Sequence, residues 1–487
     1  MDILPDNVFL EIFDFCLRGA TSFSIERARN WQTLAHVCQR WRRIIFASPL
    51  QLNLHLHCSN GTPVQENLVF WPVALPLALD YSFSSNHVSP LDEDNIAAAL
   101  EHSSRVHRVT IFGKAPLIKK VATIMRKSFP ALTHLNLVHA HDDNFQTFPM
   151  IPRSLLGGSA PCLQHLRLKR VSFPRLPMFL LSARNLVTLQ LKDTLHKGYI
   201  SPEAMAGGLA VLIRLTTLSI SSSDEVYGPN QQTQTDTSIR IILPALSEFH
   251  YKGCSQYLEG FLAQVDTPRL NHLRIEYVAH QNQALQLSRF FERTDNLKLD
   301  KFTRAHVVFY EDHSSFELYS RKCSQAQLSL EFCYQDHLYV QVPCMAQVLV
   351  QLPGQLAVFP EVDDLSVCGI ELMGLEEMTI TEWLPFFNCF PAVQALRLSG
   401  GLKTSIVSAL EETTLETVTD SVFPDLRLIW LAKDEVEVED EGEDEDGENE
   451  NMPVGAIGHF LSLRQLAGHP VTIVNTKDEF LEAKVEA

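Results

Sequence analysis

Apolar residues in this chain return again and again in one short phrase. Phe129 to Leu137 reads FPALTHLNL, a proline followed by apolar side chains at Leu132, Leu135 and Leu137. The same spacing recurs after Pro161 (Leu163, Leu166, Leu168), Pro244 (Leu246, Phe249, Tyr251) and Pro268 (Leu270, Leu273, Ile275). It comes back after Pro360 (Val362, Leu365, Val367), Pro391 (Val393, Leu396, Leu398) and Pro424 (Leu426, Ile429, Leu431). Copies without the proline start at Val106, Leu186 and Leu215. Proline cannot continue a helix and holds the residue before it out of the α region, so each segment is entered extended. The last two apolar positions lie two apart and share one face of a strand, while Asn136, Arg167 and Gln190 face the other way. From Val106 to Leu270 the starts fall roughly 23 to 31 residues apart. One strand with one helix cannot bury its own apolar face, so such units must stack on their neighbours.

These segments resemble leucine-rich repeats. That family places Asn or Cys three residues after the third apolar position, and here only Cys254 fits; elsewhere the place holds Ala140, Val171, Thr194, Ser223, Val278, Ile370 or Gly401. Without that polar ladder the backbone of each turn has to be satisfied in another way, and the resemblance implies an irregular solenoid. The fold class expected is α/β, strand–helix repeats behind a short all-helical N-terminal module.

Alternation starts directly after that module. Leu50, Leu52, Leu54 and Leu56 point one way, with Gln51, Asn53, His55 and His57 opposite. Thr62-Pro63 opens a short helix, Leu75, Leu77 and Leu79 form a strand, and Ser89-Pro90-Leu91-Asp92 reads as an N-cap with proline at the first helical position. With almost no linker, module and array are expected to be rigidly joined. Between Ala279 and Gln355 the phrase is lost: Gln283 to Arg293 looks helical, and strands are expected at Val307–Tyr310, Phe316–Tyr319, Leu328–Phe332 and Leu338–Val342. Asp312 to Ser315 reads as a turn between the first two. This stretch is a hairpin-bearing insertion or an enlarged repeat. The phrase resumes at Pro360 and runs to Leu431, then Pro453 to Gly468 reads as a closing helix and Val471 to Val474 as a last strand. The expected organisation is a module over 1–49, an array over 50–475 with its insertion at about 279–355, and a tail over 476–487.

Composition changes this picture little. At 45% hydrophobic and 20% charged the chain is globular. Asp434 to Asn451 holds twelve acidic residues and no basic one, so the net charge of −18 falls to about −6 over the rest. A run of that kind repels itself and reads as a disordered loop. Nothing in the charge pattern points to nucleic acid. The opening MDILPDNVF has no basic region leading into an apolar run, and no 18-residue apolar stretch is present, so neither secretion nor a membrane is expected. The ten cysteines include no C-x-x-C pair, which suits free buried thiols in the cytoplasm or nucleus.

The front of the chain carries more apolar surface than it can hide. Eight of the ten residues from Val8 to Leu17 are apolar, on nearly every side of the helix that Leu4-Pro5-Asp6 opens. After a polar loop, Arg18 to Asn30, residues Leu34, Val37, Cys38, Trp41, Ile44 and Ile45 follow helical spacing, and Pro49 ends the run. A second apolar face against another protein is the natural outlet.

LPDNVFLEIFDF followed by HVCQRWRRIIFASP is similar to an F-box, the small helical module that docks on the Skp adaptor of cullin–RING ubiquitin ligases. The family's Leu-Pro opening maps to Leu4-Pro5, its first helix to Val8, Ile12 and Phe13, and its V-C-x-x-W core to Val37, Cys38 and Trp41. The stretch from Arg18 to Asn30 is longer than the family's usual link. An F-box ahead of leucine-rich repeats is a recurring arrangement, so the resemblance implies a substrate receptor. Adaptor contacts are then expected from Leu4, Pro5, Val8, Ile12, Phe13, Leu34, Val37, Cys38, Trp41 and Ile44, with cullin reached through the adaptor. The target would meet the outward strand face at Asn136, Arg167, Lys169, Gln190, Lys192, Arg274, Glu276 and Arg397. Two alternatives stand beside it: a scaffold with the same repeats and no ligase partner, and an enzyme whose residues gather only in three dimensions, in a deep pocket with perturbed titrating groups.

No phosphate-binding G-x-x-x-x-G-K, no G-x-G-x-x-G and no G-x-S-x-G occurs. His55, His57 and Cys58 fit no usual zinc spacing, and His139 to Asp143 reads as a solvated loop. Cys16 and Cys38 read as small core residues. No catalytic residues, metal or cofactor are expected; the chemistry would belong to partners.

Overall fold

The structure, a computed structural model, describes the chain apart from residues 1–3, 19–24, 50, 53, 72–74, 82–88, 141–147, 194–199, 223–239, 280–286, 299–300, 311–312, 322, 335–341, 343–344, 347–348, 350–358, 371–379, 416–421, 433–453, 467 and 477–487. The acidic run, the end of the tail and most of Leu338–Val342 therefore lie outside the described residues. The fold is mixed α/β, its sheets mostly parallel, in two compact units over Met1–Asp236 and Thr237–Ala487.

The first unit opens with three helices, α1 (Asp6–Arg18), α2 (Ile25–Val37) and α3 (Gln39–Ala47). Seven strands follow: β1 (Leu56–Ser59), β2 (Leu77–Tyr81), β3 (Val106–Gly113), β4 (His134–His139), β5 (His165–Lys169), β6 (Thr188–Lys192) and β7 (Thr217–Ser221). Each pairs in parallel with the next in chain order. Helices return the chain between several of them, among them Pro90–Glu101, where Ser89 Oγ accepts the Asp92 amide as the N-cap expected from Ser-Pro. The alternation read from Leu50 becomes a strand only at Leu56, although Leu52 and Leu54 are buried as the pattern required.

In the second unit, β8 (Ile241–Ile242) and β10 (Val265–Asp266) make a two-stranded pair beside the main sheet. The sheet itself holds β9 (Glu248–Lys252), β11 (His272–Ala279), β12 (Arg304–Phe309), β13 (His313–Tyr319), β14 (Leu328–Tyr334), β15 (Asp364–Gly369), β16 (Ala395–Gly400), β17 (Leu428–Ala432) and β18 (Thr472–Thr476). Here chain order breaks: β14 lies beside β11, and β13 and β12 follow antiparallel before β15 resumes the parallel run. The hairpins expected in the insertion are thus present and lie within the sheet. His313, Ser314 and Ser315, read as part of a turn, already belong to β13, and the Tyr310 amide donates to the His313 carbonyl at 2.8 Å; Asp312 lies outside the described residues.

Every copy of the phrase becomes one strand, and all its apolar positions are buried. The proline has a specific local role. In Phe129–Leu132, Ala160–Leu163, Leu243–Leu246, Thr267–Leu270, Phe359–Val362 and Phe423–Leu426 the fourth amide donates to the first carbonyl. These are β-turns with proline at the second position, where its fixed φ suits the geometry. Beyond the strands, bare backbone replaces the absent polar ladder. The Arg170 amide reaches the Lys192 carbonyl (2.8 Å) and the Asp193 amide the Ser221 carbonyl (2.7 Å), both residues in the left-handed region. Ala140, Gly253 and Ile370 donate in the same way to Gly113, Glu276 and Phe309.

Candidate functional site

Two surfaces of the first unit bear on function, and the first is the front of the chain. Helix α1 has two apolar stripes. Phe9, Phe13 and Leu17 turn inward and form one core with Trp31, Ala35, Ile44, Ile45, Leu52, Leu54 and Leu75. Trp41 closes over Phe9 and Phe13 with ring centroids 5.9 and 4.9 Å away. Leu52, Leu54 and Leu75 lie beyond the helices, so the front of the chain shares its core with the segments that lead into β1 and β2. Trp31 extends that join, packing edge-on against Trp71 at 5.2 Å and Phe46 at 6.3 Å.

The second stripe faces out: Leu4 is 42% exposed, Ile12 40%, Phe15 79%, and Val37, at the α2–α3 junction, 55%. Arg40 joins these parts of the surface. Its guanidinium donates to the Leu4 carbonyl and pairs with Asp6 at 2.9 Å, and it lies 4.9 Å over the Phe9 ring. The start of α1 is thereby held against the start of α3, beside Cys38, whose Sγ accepts the Trp41 amide at 3.4 Å as the N-cap.

Of the residues expected to meet an adaptor, Leu4, Pro5, Ile12, Val37 and Cys38 are exposed and Val8 is half-buried. Phe13 and Ile44 are buried, and Leu34 and Trp41 pack against the core, so these four support the surface from within. Phe15, one turn beyond Ile12, belongs to the outward stripe and was missed. Cys16 and Cys38 are exposed, contrary to the reading as core residues, and Cys162 is exposed too; Cys58, Cys368 and Cys389 are buried. The loop read over Arg18–Asn30 is helical from Ile25 onward.

The second surface is the outward face of β3 to β6. Cross-strand register lines up Arg108, His134, His165 and Thr188 in one row and Thr110, Asn136, Arg167 and Gln190 in the next. Together they line an open groove of about 330 Å³. Asn136, Arg167 and Gln190 are thus brought side by side, with Lys169 and Lys192 paired in the row beyond them. Arg108, His134, His165 and Thr188 were not foreseen, although the phrase starting at Val106 and the strand period place them there. The rings of His134 and His165 stack at 4.3 Å.

Burial, then the nearby Arg108 cation, then His165, His55 and His107, push the His134 pKa down to about 3. Burial lowers His165 as well. An exposed histidine titrates near 6.5, so on acidification the unfolded chain takes up this proton first. The stability His134 contributes is complete above about pH 6.5 and drains away between there and about pH 3. His134→Gln is expected to flatten this part of the curve of unfolding temperature against pH. An unchanged slope between pH 7 and 4 would show that the ring titrates as it would in water.

The outward face of the second unit is different, because its charges answer one another. Arg274 pairs with Glu276 and Glu331, both at 3.0 Å, and Lys252 with Glu276 at 2.9 Å. Arg397 grips Asp364 through two bonds, 2.8 and 3.0 Å, and lies over the Trp430 ring. Arg274, Glu276 and Arg397, expected to meet a target, are therefore engaged within their own sheet.

His57, on β1, and His55, just before it, are half-buried, and Cys58 is buried. His139 and Ala140, read as part of a solvated loop, are buried, and residues 141–143 lie outside the described residues. Among the described residues no helix is long and apolar enough to cross a membrane. No protein-family model matches the chain, and no curated protein matches it.

Proposed function

We propose that this chain is the substrate-recognition subunit of a Skp–cullin–F-box-type E3 ubiquitin ligase, in which α1 and the α2–α3 junction hold the Skp adaptor and the strand face of a leucine-rich-repeat array holds the target. The observation that carries the reading is the outward stripe Leu4, Ile12, Phe15 and Val37 on helices whose other side is already committed to a core. A small helical module that satisfies its own core and still presents a row of large apolar side chains is built to be covered by another protein. The resemblance of Leu4-Pro5 and Val37-Cys38-x-x-Trp41 to an F-box names that partner. The shared core with Leu52, Leu54 and Leu75 gives the module a job beyond docking: it holds target and adaptor in one geometry, which raises the local concentration of a target lysine near a ubiquitin-loaded enzyme. The chain supplies position, and its partners supply the transfer chemistry.

The test is capture of purified Skp adaptor, with cullin, by the full chain and by Ile12→Glu and Val37→Asp variants. Both positions are exposed, so the variants keep the unfolding temperature of the parent, whereas Trp41 is half-buried and a charge there would confound docking with folding. A charge buried against an apolar partner is expected to weaken capture about 100-fold. Equal capture by all three chains, or none by any, removes the ligase assignment and leaves a scaffold.

A further inference from the structure

The outward face of β3 to β7 has a one-sided charge. Arg108, Arg167, Lys169 and Lys192 stand on it, and among its described outward positions there is no carboxylate; the nearest in register is Asp80, on β2. Arg167, Lys169 and Lys192 make no ion pair among the described residues, whereas Lys252, Arg274 and Arg397 on the second unit's face are each matched by a carboxylate. The groove between them is open, with Thr110, Thr188 and Gln190 offering neutral hydrogen-bonding groups along its floor.

We infer that this groove holds an acidic peptide segment of the target, laid across the strands with one carboxylate on Arg108 and the next between Arg167 and Lys169. The inference rests on the substrate-receptor reading and gives its target a chemistry. Complementary charge is the first argument: Arg167, Lys169 and Lys192, which make no ion pair among the described residues, stand beside Arg108 in adjacent rows, and together they favour an anionic occupant and steer it in. Spacing is the second. Strands lie about 4.8 Å apart, so Arg108 on β3 and Arg167 on β5 are separated by about 10 Å across the sheet. A peptide in the polyproline II conformation rises about 3.1 Å per residue and turns once every three, so residues three apart share one face at about 9 Å. The matching motif is Asp or Glu at every third position. A nucleic acid fits less well, because a chain of net charge −18 repels a long polyanion and four cations do little to offset that.

The experiment is fluorescence anisotropy of the full chain with labelled peptides of about twelve residues, one carrying Glu at every third position and one with Gln in its place. Adaptor capture by the same preparation is scored in parallel. The Glu peptide is expected to bind roughly tenfold more tightly than the Gln peptide, to weaken as salt rises, and to lose roughly tenfold with Arg167→Glu/Lys169→Glu. Equal binding of the two peptides, indifference to that double variant, or preference for a phosphoserine peptide or a single-stranded oligonucleotide overturns the inference. Adaptor capture without acidic-peptide binding sinks this inference alone. Peptide binding without adaptor capture keeps an acid-binding groove and sinks the ligase reading.

Discussion

Trp31→Ala is expected to destabilise the first unit by about 3–5 kcal/mol, the usual cost of emptying a buried large aromatic site. Trp31 is 1% exposed and packs edge-on against Phe46 of α3 and Trp71 beyond β1, so it ties the front helices to the strand body. Its loss removes contacts on both sides of that join and leaves a void that three rigid elements cannot close together. Trp31→Phe should behave quite differently. The Trp31 Nε1 is buried and has no hydrogen-bond partner among the described residues, so the indole pays for a desolvated N–H that phenylalanine does not carry. The remaining change is a modest loss of volume, expected to cost less than about 1.5 kcal/mol. Denaturant midpoints of the three proteins decide the matter. A Phe variant as unstable as the Ala variant would mean that the indole nitrogen is satisfied, contrary to the packing described.

Gly400→Ala is expected to destabilise the second unit by about 3 kcal/mol or more. Gly400 ends β16 opposite Gly369 of β15, with φ +69, and a Cβ there would lie 1.8 Å from the Gly369 carbonyl oxygen. Two costs combine: a left-handed backbone for a residue with a side chain, and an overlap with main chain that has no rotamer to retreat into. Gly468 separates them. It has φ +83 with nothing within 4 Å, so Gly468→Ala carries the conformational cost alone, about 1 kcal/mol. Thermal or denaturant unfolding should rank the variants in that order, and equal losses would mean that β15 and β16 part easily at this point.

Much of the fold was legible because its signal is local. A proline-led β-turn followed by apolar residues two apart commits a segment to a strand with one face in, whatever its neighbours do, and Leu135, Phe249 and Ile429 all obeyed. Which strand lies beside which is not local. β12, β13 and β14 carry the same period-two pattern as the rest, and nothing in that pattern says that β14 returns beside β11. The phase of α1 was hidden for a related reason. A helix apolar on almost every side has no preferred face, and inside was chosen by Trp41 and Trp31, which reach it from other helices. The start of α2 was missed because residues 25–30 include few apolar side chains; Trp31 and Ala35, further along, anchor that helix. On the strand face, the period fixed that Arg167, Arg274 and Arg397 point outward. Whether each meets a carboxylate was decided across the sheet, by Asp364 for Arg397 and Glu331 for Arg274, far away in the chain.

The outward stripe of α1 is where the functional account stands or falls, and amide hydrogen exchange of the full chain with and without purified Skp adaptor tests it most directly. Exchange is expected to slow over residues 4–16 and 36–40 and to stay unchanged over residues 106–192. No protection at the front of the chain, or protection confined to the strand face, would contradict it.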